Sequence, residues 1–209
     1  MKISSYDQLN AIQLDALKEI GTIGSGNAAT ALSGVISKKV RISVPKVSIL
    51  DFNTALNILG GPENIVAGIM VRMSGDLNGI MLYLQEMDFI NVALDSVLHE
   101  TISSYDQLNE LSQSALVEIG NIMISTYMNA LSSLASLEVS LSVPAMCINM
   151  AGGILSVPMV EFGYETDKIM MLDGSFSCDG QEVSSKLLMM PDFKSLNYML
   201  DRLGVGNIE

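Results

Sequence analysis

The seven residues Ser4-Ser5-Tyr6-Asp7-Gln8-Leu9-Asn10 return letter for letter as Ser103-Ser104-Tyr105-Asp106-Gln107-Leu108-Asn109, a shift of 99 positions from 4 to 103. The register continues without a gap. Ala16-Leu17 answers Ala115-Leu116, Glu19-Ile20-Gly21 answers Glu118-Ile119-Gly120, Ala31-Leu32-Ser33 answers Ala130-Leu131-Ser132, and Ser43-Val44-Pro45 answers Ser142-Val143-Pro144. The chain of 209 residues is therefore a tandem duplication of a unit of about 100 residues, and any fold it adopts must place the same apolar faces twice. The copies run over about 4–98 and 103–203. A hairpin from one unit is barely stable alone, and no Pro- or Ser-rich linker divides the units. The expectation is a single domain over 1–209 in which both copies share one sheet and one core.

Within each copy the Ser-Tyr-Asp-Gln-Leu-Asn signal caps and starts a helix that runs on through Ser37 or Ser136. Strands follow at Val40–Ile49 and Val139–Ile148, each holding a proline (Pro45, Pro144) of the kind an edge or bulge tolerates. The first copy then reads as a short helix over Asp51–Leu59 and a turn at Gly60–Asn64. A hairpin of Ile65–Met73 and Leu77–Leu84 around Ser74-Gly75-Asp76 comes next, and a closing helix over Asp88–Leu98. In the second copy Val157–Phe162 and Lys168–Leu172 read as strands, Cys178–Glu182 as a loop, and Asp192–Leu203 as the closing helix. The fold class expected is α/β (α+β): an antiparallel sheet with internal pseudo-two-fold symmetry, covered by long helices on one side.

Charge removes several functions. With 11 Lys and Arg against 23 Asp and Glu, the formal net charge is −12, which repels nucleic acid and anionic membrane surfaces. Two cysteines, Cys147 and Cys178, and one histidine, His99, make no metal-ligand spacing, so no metal site is expected in this chain. The thiols read as small residues in or beside strands, and His99 as a surface residue. The first residues lack the apolar run of a signal peptide, and Gly, Asn, Asp or Arg interrupts every later apolar run. A cytoplasmic location is expected.

The repeated helix has two different faces. At about 100° per residue, Ser114, Glu118, Asn121 and Ser125 fall within about 60° of arc, while Leu116, Ile119, Met123 and Tyr127 form the opposite, core-docking face. Glu118 and Asn121 should point outward. The first copy carries Asp15, Glu19, Thr22 and Gly26 at the same places. A solvated face is the plain reading of one such stripe. Duplication weighs against it, because Glu recurs while its neighbours Lys18 and Val117 differ. The run Gly21-Thr22-Ile23-Gly24-Ser25-Gly26 lacks the preceding strand and following Lys of a phosphate-binding loop. Close helix packing suits it better, at up to about 1 kcal/mol per glycine relative to Ala, so the first long helix is expected to be the less regular one.

These positions resemble the motif of the CheC phosphatases of bacterial and archaeal chemotaxis, relatives of CheX and of the phosphatase part of FliY: Asp or Ser, three residues, Glu, two residues, Asn, and a later Pro. The second copy matches throughout, at Ser114, Glu118, Asn121 and Pro144. The first matches at Asp15, Glu19 and Pro45 and departs at Thr22. The resemblance covers essentially the whole chain. It implies hydrolysis of the aspartyl phosphate on the response regulator CheY, with Asn121 positioning water and Glu118 docking the receiver domain. The Mg2+ of the reaction then lies in the CheY active site, with no cofactor held by this chain. It also implies CheD as a partner, the chain being a monomer or a heterodimer with CheD, and a first site that is weak or silent. The alternative is a non-catalytic module that binds phosphorylated CheY or CheD, or one acting at the flagellar switch; no FliN-like domain is visible in this sequence. CheX is disfavoured because it usually carries one motif and works as a dimer.

Overall fold

A computed structural model describes residues 2–42, 46–161, 168–178 and 181–206. Each copy opens with a single 3-10 turn, at Tyr6–Gln8 and Tyr105–Gln107. The long helices do not continue from these turns as expected. Leu9 and Leu108 are extended and buried between the two elements, and Asn10 and Asn109 then cap fresh helices, α1 (Ala11–Ile36) and α4 (Glu110–Ala135). Each Asn side chain accepts from the backbone N–H three residues on, at 2.9 Å in both copies, which satisfies a donor that the first helical turn leaves unpaired. Both helices are 26 residues long, and both end at a serine with φ of 51°, Ser37 and Ser136. The glycines leave α1 as long as α4, contrary to the expected loosening.

The remaining elements are β1 (Val40–Ile42), β2 (Lys46–Asp51), α2 (Phe52–Ile58), β3 (Ile65–Gly75), β4 (Gly79–Gln85) and α3 (Met87–Leu98) in the first copy. The second adds β5 (Val139–Leu141), β6 (Ala145–Met150), α5 (Ala151–Glu161), β7 (Lys168–Cys178), β8 (Gln181–Pro191) and α6 (Phe193–Arg202). Each strand expected after a long helix is thus two short ones. The hairpin turn falls at Asp76–Asn78, because Ser74 and Gly75 still pair with Ser140 and Val139. Pro45, Phe162, Asp179 and Gly180 lie outside the described residues; Cys178, Gln181 and Glu182, expected in a loop, are paired residues at the end of β7 and the start of β8.

The strands form one eight-stranded sheet of order β1-β7-β8-β4-β3-β5, with β2 also on β7 and β6 also on β3. All these pairs are antiparallel. The copies exchange strands: β1 and β2 of the first pair with β7 of the second, and β5 and β6 of the second pair with β3 of the first. The order reads the same from either end, so a pseudo-two-fold axis passes between β4 and β8. There Tyr83 lies opposite Leu187, and each precedes its own copy's Asp-Phe helix signal by five residues, from 83 to 88 and from 187 to 192. Both belong to the core beneath the long helices, so the axis stands perpendicular to the sheet. It sets α1 and α4 antiparallel on one face.

The second face is also covered, which corrects the one-sided expectation. Along β4, Met81 and Tyr83 face the long helices, whereas Ile80, Leu82 and Leu84 join a second core with Ala55 and Leu59 of the first copy and Ala151, Ile154 and Leu155 of the second. Alternate residues of a strand point to opposite faces, so a wholly buried strand needs a layer on each side. Part of that second layer is α5, which holds Val157–Glu161, expected to be strand. Ala151, Ile154, Leu155 and Pro158 are its buried residues, spaced i, i+3, i+4, i+7 along one helical face. The first copy's loop caps its start: Ala151 N–H donates to the Asn64 carbonyl at 2.8 Å and Gly152 N–H to that of Pro62 at 2.9 Å. No helix among the described residues is long and apolar enough to cross a membrane.

Candidate functional site

Glycine sets the height of each long helix above the sheet. A Cβ on Gly120, between Glu118 and Asn121, would lie 2.3 Å from Ile69 Cδ1, and one on Gly21, between Glu19 and Thr22, would lie 2.4 Å from Val47 Cγ2. Both helices therefore press backbone against strand at this point, and the residues on either side of the glycine are turned to the far side. A Cβ on Gly24 would meet the Tyr127 ring at 2.4 Å, which is where the two helices touch. The Gly-rich run thus lies mid-helix, its glycines at 21 and 24 packed against side chains, and it offers no phosphate loop. Gly26 faces open space.

On α4 the outward row is Ser114, Glu118, Asn121 and Ser125. Ser114 and Glu118 are exposed, and Asn121 and Ser125 half-buried. The Ser114 hydroxyl donates to the Glu110 carbonyl at 2.8 Å, so it serves its own helix. Ser125 Oγ donates to Asn121 Oδ1 at 3.4 Å, a long contact that turns the amide along the row. Glu118 has no hydrogen-bond or ion-pair partner among the described residues. An unpaired carboxylate and a primary amide one turn apart can together grip a cation and orient a polar molecule. Pro144 is half-buried at the start of β6. That strand pairs Met146 with Ile69, the residue on which Gly120 rests.

The row on α1 is arranged differently. Asp15, Glu19 and Thr22 are all exposed, and Asp15 pairs with Lys18 at 3.0 Å. Thr22 Oγ1 donates to the Lys18 carbonyl at 2.9 Å, so its hydroxyl is spent on the helix backbone. Gly26, in the place of Ser125, brings no side chain to the row. Because α1 and α4 run antiparallel, the two rows lie toward opposite ends of the helix pair.

The cavity beneath the helices, lined by Tyr83, Tyr127 and Ser185 among others, measures about 20 Å3, far below the several hundred that a ligand of drug size needs. Burial raises the phenols of Tyr83 and Tyr127 above their ordinary range, so both stay neutral there. Between α1 and α4 runs an open surface groove of about 600 Å3, with Asn27, Thr30, Thr126 and Asn129 along it. Cys147 is exposed on β6, Cys178 is buried at the end of β7, and His99 is an exposed residue with φ of 58° at the end of α3. Two features escaped the sequence reading: the contact of Ser125 with the Asn121 amide on α4, and the exposed apolar residue of each row, Leu111 or Ile12, one turn before the polar members. An apolar letter inside a polar arc is the signal that marks the second.

The CheC-like family matches residues 12–49 and 111–148, which hold the long helix and following strands of each copy. The CheY-P phosphatase CheC of Bacillus subtilis (strain 168) is 31% identical over 212 residues, covering 98% of this chain and 100% of that protein. The flagellar motor switch phosphatase FliY of the same strain is 29% identical over 144 residues, which are 68% of this chain and 37% of that longer protein. The crystal structure of Thermotoga maritima FliY superposes with a TM-score of 0.73 at 20% identity, covering 96% of this chain and 100% of that one, a likeness of fold. Two family matches 99 positions apart and an end-to-end relative point the same way: the chain belongs to the CheC-like family.

Proposed function

We propose that this protein is a phosphatase that hydrolyses the aspartyl phosphate of phosphorylated CheY, with Glu118 and Asn121 of α4 as the residues that act. The likeness to a CheY-P phosphatase along the whole chain supports the activity. The observation that carries the assignment of residues is the row itself. Glu118, unpartnered, and Asn121 stand together on the outer face of a helix held at a fixed height by Gly120. A site that projects from a convex surface does its chemistry inside a partner's cleft.

Phosphoryl transfer asks mainly for positioning and charge stabilisation. The Asn121 amide accepts from one hydrogen of a water and aligns its oxygen with phosphorus, opposite the aspartyl oxygen. The water oxygen bonds to phosphorus as the P–O bond to the receiver's aspartate breaks, leaving the aspartate as a free carboxylate and the proton of the water on the inorganic phosphate. Asn carries no charge and takes no proton, so the gain comes from alignment, and no covalent intermediate forms on this chain. Glu118 pairs with a lysine of the receiver, a charge-assisted bond that fixes the approach. The Mg2+ of the reaction is assigned to the active site of the receiver, as the resemblance to CheC implies. There it would neutralise charge on the phosphoryl oxygens. The α1 row, with Thr22 bonded to its own backbone, docks a receiver without aligning water. CheD is proposed as a second partner, tested by co-purification of the two proteins.

The experiment is the decay of phosphorylated CheY with Mg2+ and a tenth as much of this protein. Turnover of many receivers per molecule is expected. Stable binding with no faster loss of phosphate would replace the phosphatase with an adaptor.

A further inference from the structure

The row that holds Glu118 continues one turn toward the helix start, and there it becomes apolar. Leu111 is 61% exposed and Ile12 is 49% exposed, and the two are counterparts in the repeat, from 12 to 111. Leu111 precedes Ser114 by three residues and Glu118 by seven, which puts it within about 20° of Glu118 around the axis. A lone exposed aliphatic side chain is ordinary. On α1 and α4, however, the large apolar residues that stand exposed are Ile12, Leu111 and Leu134, and two of these three occupy one repeat position on one row. Helix chemistry does not call for them. Both sit at the second helical residue, where acidic side chains suit the helix dipole, and the apolar residue before the cap is Leu9 or Leu108, already buried.

We propose that Leu111 is an apolar anchor that seats the receiver domain on α4, with Ile12 its counterpart on α1; the proposal rests on phosphorylated CheY being the substrate. Geometry commits the occupant. Leu111 lies about 15 Å along the axis from Asn121, inside the footprint of an interface of ordinary size, about 800 Å2 per partner. A receiver whose footprint is centred on Asn121 reaches Leu111 at its edge. At that distance the leucine contributes equally to binding the receiver before and during hydrolysis, so its energy enters KM and leaves kcat alone.

The test compares Leu111→Ala, Leu111→Met and Leu134→Ala in two assays: kinetics of phosphate loss from phosphorylated CheY, and affinity for CheY loaded with Mg2+ and beryllofluoride. Leu134 is also an exposed leucine, at 46%, on another face of the same helix, about 140° from Leu111. Leu111→Ala is expected to raise KM and Kd about tenfold, which is 1.4 kcal/mol of lost contact, with kcat unchanged. Leu111→Met is expected to restore most of the affinity, and Leu134→Ala to behave as wild type. Ala favours the helix more than Leu, so an unchanged Tm shows that the fold is intact. Wild-type KM and Kd in Leu111→Ala would overturn the anchor, as would a protein that does not bind loaded CheY at all. If wild type binds loaded CheY without turnover, the phosphatase reading fails, while the Kd of Leu111→Ala still decides the anchor.

Discussion

Helices α1 and α4 descend from one sequence, have equal length and pack on the same sheet face, yet only the outward row of α4 presents an amide. The difference lies in what each outward row does with its hydrogen bonds. Glu118 and Glu19 are both unpartnered among the described residues, but on α4 Ser125 meets the Asn121 amide. On α1, Thr22 turns back to its own helix and Asp15 pairs with Lys18. The glycines that set the helix against the sheet are common to both, at 21 and 120. Duplication has thus kept the platform twice and the Asn of the row once. Stability constrains the buried face of both copies, whereas the outer face of α1 has been free to change.

Exchanging that one group should break the comparison most visibly. Asn121→Thr copies the α1 row into α4 and is expected to lower kcat on the order of 100-fold, the cost of losing an aligned water, measured as phosphate release under saturating phosphorylated CheY. Glu118→Ala removes a charge-assisted contact of about 1.5–3 kcal/mol, so KM should rise tenfold or more with a smaller change in kcat. Gly24→Ala addresses the crossing of the helices, where Tyr127 leaves no room for a Cβ. Overpacking there costs about 1–3 kcal/mol, and calorimetry should show a Tm lower by several degrees. The smallest effect is the repair: Thr22→Asn supplies the missing amide to α1. If the two rows act independently, it raises activity by at most about twofold, and more in an Asn121→Ala background, where it would be the sole amide.

Much of this was legible because a repeat writes the same physics twice. The 99-residue register located both long helices and the row of Glu118 and Asn121, since a polar arc opposite an apolar one is a local pattern, but it did not separate the opening turns from the Asn-capped helix starts. What the register does not carry is pairing between copies. Strands of either copy satisfy β3 or β7 equally well on paper, and the exchange of β1 and β2 for β5 and β6 is decided by the shared core. The second covered face was hidden for a different reason. Ile80-Met81-Leu82-Tyr83-Leu84 is apolar without alternation, which is how a strand buried on both faces reads, although a hairpin was inferred from its turn alone. The β-branched letters around Pro158 suggested a strand. Counting on from α2 exposes the helix: Ala55 and Leu59 recur 99 positions later as Ile154 and Pro158, buried at the same places.

The central claim is that hydrolysis is centred on α4, and the most direct measurement sets Asn121→Ala beside Thr22→Ala in the decay of phosphorylated CheY with Mg2+. The account predicts that Asn121→Ala abolishes the acceleration and that Thr22→Ala retains it. Full activity in Asn121→Ala together with loss in Thr22→Ala would contradict it and move the active row to α1.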